Sequence, residues 1–121
     1  LSVNEENDSM TFAGNMPYGA HVRLMKATFD KLVDAASTAA RDSFSSFGTV
    51  QPQFALLISC VGRKLVLQDR VEEEVEAAQA MFGPDTCIAG LYSYGELSPF
   101  KPKATCDLHN QTMTITTLSE A

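Results

Sequence analysis

Between Pro52 and Gly62 the chain carries an apolar run of strand length, Phe54 to Cys60 (FALLISC), broken only by Ser59. A strand of this composition does not suit a sheet surface open to water on both sides. It belongs near the centre of a sheet, with at least one face covered. The flanking segments supply the cover. Upstream, Thr28 can cap a helix in which Phe29, Leu32, Val33, Ala36, Ala40, Phe44 and Phe47 recur at three- and four-residue spacing. Gly48 and Pro52 end it. Downstream, Asp69 with Glu72 reads as a capping box opening a second helix. Val71, Val75, Ala78 and Phe82 are its expected buried face, and Glu72, Glu73, Glu74 and Glu76 its wet side. Gly83-Pro84 terminates it.

Thr86 to Tyr92 reads as the next strand. Met113 to Leu118 (MTITTL), alternating and β-branched, reads as the last. Near the start, two short alternating runs, 9–13 and 20–25, flank the turn formers Gly14 to Gly19 and predict a β-hairpin. The expected fold is α/β: a mixed β-sheet of about five strands with two main helices packed on it, an N-terminal β-hairpin and C-terminal antiparallel strands.

With 121 residues the chain is expected to form one domain spanning 1–121. Its start at Leu1 suggests a piece of a longer protein. A net charge of -6 disfavours nucleic acid and anionic membrane as partners, since both need a basic surface. Three cysteines (Cys60, Cys87, Cys106) without CxxC spacing read as reduced thiols of a cytoplasmic protein. His21 has no metal-spaced partner, and no cofactor or metal is expected.

Strands joined by a helix through a right-handed crossover run parallel, so 54–60 and 86–92 should end at the same sheet edge. The last strand, returning antiparallel, starts there. Cys60 and Arg63, Ser93, Tyr94 and Glu96, and His109, Asn110 and Thr112 thus gather where ligands sit in open α/β sheets. Arg63 offers a fork matched to a carboxylate, or to an internal ion pair with Glu96. Glu96 can accept from an ammonium. Together the two would complement the ends of a free amino acid. Lys101 and Lys103 add positive charge on a proline-stiffened loop. His109 and Asn110, at a strand start, can equally serve to hold the loop.

The segments LLISCVGRKLVLQDRVEEEVE, IAGLYSYGELSPF and LHNQTMTITTLSE, with FAGNMPYGAHVRLM nearer the start, resemble the C-terminal half of the FIST domain, the F-box and intracellular signal transduction family. The resemblance implies a sensory module with small ligands, amino acids being the proposed class. It also implies partners: an N-terminal half of the same protein and a signalling output or F-box segment. On this reading the domain is not an enzyme, and its ligand-binding residues are Arg63, Glu96, Ser93, Tyr94, Cys60, His109, Asn110 and Thr112.

Two rival readings follow from the same residues. The first is an interaction module whose apolar area around Leu91, Tyr92 and Phe100 docks on a protein surface. The second makes Cys60 a nucleophile, with His109 and Glu96 as base and orienter. Against it, a cysteine ending an apolar strand is usually a buried small hydrophobe.

Overall fold

The computed structural model describes residues 2–48, 50–99 and 104–120. Phe100, Lys101 and Lys103 therefore lie outside the described residues, as does the side chain of Phe47.

The FALLISC run is the central strand of a three-stranded sheet. This strand, β3 (Phe54–Cys60), pairs in parallel with β4 (Cys87–Ser93) and antiparallel with β7 (Met113–Leu118), giving the order β4-β3-β7. Alternation along β3 sorts its side chains. Ala55, Leu57 and Ser59 are buried, while Phe54, Leu56 and Ile58 on the opposite face are half-buried. The buried face meets Ala40 and Phe44 of α1 (Phe29–Phe47) and Ala78 and Phe82 of α3 (Val71–Phe82). Ile88, Met113 and Ile115 of the neighbouring strands complete this core.

Helix α1 starts as its sequence predicts, with Thr28 Oγ1 accepting from the Lys31 backbone N–H at 3.4 Å. Leu32, Ala36 and Ala40 are buried at four-residue intervals. The small alanines let α1 lie close to α3, where Ser37 Oγ donates to the Ala77 carbonyl. Phe29 is exposed, with the Arg70 guanidinium over its ring.

Three expectations about the helices are corrected. First, the stretch between the central strand and the second expected helix, to which no element is assigned above, is itself a helix, α2 (Val61–Leu67); Arg63 and Leu67, four apart, are its buried residues. At seven residues it is too short to show periodicity in sequence.

Second, a 3-10 turn over Gln68–Arg70, with Gln68 at a φ of 53°, separates α2 from α3. The Asp69–Glu72 capping box therefore does not form, and α3 begins at Val71 without a side-chain cap. Arg70 stabilises that end instead, with Nε and Nη2 each 2.6 Å from a Glu73 carboxylate oxygen and Nη2 3.2 Å from Asp30 on α1. The hydrogen bond from Arg70 holds the Glu73 carboxyl below its ordinary range.

Third, the buried face of α3 is Glu74, Ala78 and Phe82, whereas Val75 is exposed. A glutamate occupies a core position because its partners there satisfy it.

The N-terminal hairpin joins β1 (Ser2–Asn4) to β2 (Ser9–Thr11) in the register Ser2↔Thr11. It is thus closed by residues 5–8 and not by residues 14–19. Asn4 and Asn7 tie the turn, accepting from the Glu6 N–H and the Ser9 hydroxyl, and Asp8 takes a φ of 51°. Residues 20–25, expected as the second strand, form none and are exposed. The connection after β4 is also more ordered than a loop. Strand β5 (Glu96–Pro99) pairs antiparallel with β6 (Cys106–His109) in a separate ribbon. Among the described residues the strands of this mixed α/β fold are thus divided among a sheet of three and two pairs. No helix among the described residues is long and apolar enough to cross a membrane.

Candidate functional site

The three polar motifs do meet at the C-terminal ends of β3 and β4, but the sheet divides them into two networks. On the side away from α1 and α3 the centre is Glu96, the first residue of the β5–β6 ribbon. A Cβ on Gly95 would stand 2.8 Å from the Leu108 side chain of β6, and Glu96, next in the chain, lies against the start of β7. Ser93 Oγ donates to Glu96 Oε1 at 2.6 Å, and Thr112 Oγ1 donates to Oε2 at 2.7 Å. Glu96 is only 2% exposed. A carboxylate offers about four acceptor positions, and two are filled here. Among the described residues no lysine or arginine lies within 4.0 Å of it. Cys60 closes the floor, its backbone N–H donating to the Thr112 carbonyl at 3.0 Å.

On the helix-covered side the centre is Glu74. Its Oε2 accepts from Arg63 Nε at 2.9 Å. Its Oε1 accepts from Ser59 Oγ at 3.1 Å and Tyr92 Oη at 2.8 Å. Arg63 also donates through Nη2 to the Leu32 carbonyl at 2.7 Å. Both charged residues are sealed in: Arg63 is 1% exposed and Glu74 0%. Charges so placed survive only when paired and hydrogen-bonded, which this set achieves. Burial, then the hydrogen bond to Glu74 and its charge, push the Tyr92 phenol well above its ordinary range, with Arg63 opposing.

A model of the FIST C domain family matches residues 1–99. The chain belongs to that family. No curated protein and no solved structure was found to match it. The FIST C domain is a sensory domain family associated with signal transduction. The matched span takes in both network centres, Glu74 and Glu96, and ends with β5. His109, Asn110 and Thr112 of this FIST C domain lie beyond it.

Placed on the structure, the expected site residues separate. Ser93, Glu96, Thr112 and the backbone of Cys60 come together. Arg63 does not join them: its fork turns to the helix side and is held by Glu74 and Leu32, so it neither pairs with Glu96 nor faces a ligand carboxylate across a crevice. The reason is α2. Helical backbone from Val61 carries Arg63 beneath α1 and α3, where an extended turn would have left it at the sheet edge.

Tyr94 is 92% exposed and stands apart from both networks. Asn110 Nδ2 donates to the Ala13 carbonyl at 3.3 Å, holding the N-terminal segment. His109 pairs with Glu96 across the ribbon, and its Nε2 lies 2.9 Å from the Ser98 carbonyl oxygen. Cys60 is 3% exposed, as a core thiol would be. Among the described residues no cluster of histidine, cysteine or carboxylate side chains could hold a metal. Glu74, expected on the wet side of its helix, and Ser59 are not among the expected site residues. Their signal was present all the same: Glu74, Ala78 and Phe82 form an i, i+4, i+8 row, so one of the four glutamates shares the buried stripe.

Proposed function

We propose that this FIST C domain is a non-catalytic, cytoplasmic sensing module that takes the ammonium end of a small ligand, an amino acid or similar zwitterion, at Glu96. The observation that carries the reading is a carboxylate 2% exposed that holds two hydroxyls and no described lysine or arginine. An ammonium fits the two acceptor positions left on it and would offset the cost of burying its charge. Because Arg63 is engaged elsewhere, recognition is centred on the positive end of the ligand. The lever for signalling is the β5–β6 ribbon, since a two-stranded ribbon is marginal alone and depends on what anchors it. Ligand at Glu96 takes the acceptor positions beside Ser93 and Thr112 and so ties the start of the ribbon more firmly to the sheet.

The test is a thermal-shift panel of amino acids and simple amines on this chain and on Glu96→Gln, which keeps the size of the side chain. A ligand that raises Tm by mass action in the wild type and not in the variant supports the reading. A panel with no stabilising member, or a shift that survives Glu96→Gln, overturns it.

A second reading rests on the other face of the sheet. The helices pack on one side, while Leu91 and Leu118 on the opposite side are 57% and 55% exposed. Such a face suits an interaction module docking on a protein surface, such as an N-terminal half or a signalling output domain. Concentration-dependent association that disappears in Leu91→Lys would favour it. A chain that stays monomeric and responds to ligand would count against it.

A further inference from the structure

The helix-covered side of the sheet holds a second feature, independent of Glu96. Between α3 and β4, at the edge of the sheet, lies a half-open pocket of about 200 Å³ whose wall includes Leu57, Val75, Ile88, Gly90 and Leu91, with Ser59, Glu74 and Tyr92 as its polar groups. Its size is that of a small aromatic molecule: an engineered apolar cavity of about 150 Å³ binds benzene. Gly90 forms part of its wall. In the helix-facing row of β4, Ile88, Gly90 and Tyr92, the middle residue has no side chain, and a Cβ built there would stand 2.2 Å from the Leu57 carbonyl oxygen.

We propose that this cavity binds a small, neutral, apolar molecule carrying one hydrogen-bond donor, a phenol or an alcohol on an apolar body. The polar end of the cavity dictates the donor. Ser59 and Tyr92 both commit their hydroxyl protons to Glu74 Oε1, and Arg63 donates to Oε2. What the Ser59 and Tyr92 oxygens have left to offer is lone pairs. A ligand ether or carbonyl would meet acceptors with no proton between them, whereas a hydroxyl supplies the missing proton. The charges of Arg63 and Glu74 cancel at 2.9 Å, so the site gives no reward to a charged ligand. Val75, 43% exposed on α3, stands at the mouth.

The experiment compares p-cresol with 4-methylanisole, the same ring with its donor methylated, by ligand-detected NMR titration of the chain. The expected result is p-cresol bound about tenfold more tightly, the worth of one hydrogen bond. Val75→Trp, which fills the mouth from an exposed helical position, should abolish binding of both. Tyr92→Phe, which removes one of the two accepting oxygens, should narrow the gap between p-cresol and the ether. Equal affinity for the two probes, no binding of either, or full binding by Val75→Trp would overturn the proposal. If Tyr92→Phe does not fold, the ratio of the two probes on the wild type decides alone.

Discussion

Arg63 on α2 and Glu74 on α3 form an ion pair at 2.9 Å with neither side chain reaching water. The pair joins the short helix that leaves β3 to the longer helix that leads to β4, and through Leu32 it reaches α1 as well. Breaking such a pair costs more than never having made it, because the survivor stays buried and unpaired. Arg63→Ala should therefore destabilise the chain by about 3–5 kcal/mol in urea denaturation. The double variant Arg63→Met/Glu74→Leu should recover most of that loss, as apolar replacement of a buried pair commonly does. Additive losses in the double variant would show that Glu74 is held chiefly by Ser59 and Tyr92.

Tyr92 makes stability sensitive to alkali. Its phenol has a higher pKa in the folded chain than in the unfolded one, whose ordinary value is 10.0. The folded state thus keeps a proton that the unfolded state releases, and stability falls with rising pH. The contribution is whole below about pH 10 and is lost as pH rises through the folded value. Denaturation midpoints of the wild type should drop more steeply above about pH 10 than those of Tyr92→Phe. Parallel curves would contradict the network.

Gly90→Ala tests the close approach of β4 to β3. The new methyl meets the Leu57 carbonyl carbon and oxygen, which are backbone and cannot swing aside. The variant should lose about 3 kcal/mol, at the upper end for overpacking. Gly14→Ala, whose nearest neighbour would be 3.6 Å away, should change stability by under about 0.5 kcal/mol.

The thiols should divide two to one under iodoacetamide at neutral pH. Cys87 and Cys106 are exposed and should alkylate promptly, while buried Cys60 should react only as the chain unfolds. Mass spectrometry of the native protein would show this. Rapid labelling of Cys60 would reopen the nucleophile reading.

Much of this molecule is written along the chain. The FALLISC run, bounded by Pro52 and Gly62, could hardly be other than a central strand. The alanine and phenylalanine spacing of α1 and the Gly83 stop of α3 are local signals of period and φ, which the backbone obeys wherever the segment lands. Chain order and crossover handedness were enough to bring Ser93, Glu96 and Thr112 to one sheet edge. The choice of partners was not legible. Glu72, Glu73, Glu74 and Glu76 look alike in sequence. Only packing against Ser59, Arg63 and Tyr92, residues 15, 11 and 18 positions away, takes Glu74 inside. Arg63 likewise has Glu96 as its expected acidic partner, and seven residues of helix give it to Glu74 instead by turning its side chain away from the sheet edge. Periodicity determines which faces are apolar. Which charge is buried, and against what, depends on ångström distances between elements far apart in the chain, and those exist only once the sheet and helices have met.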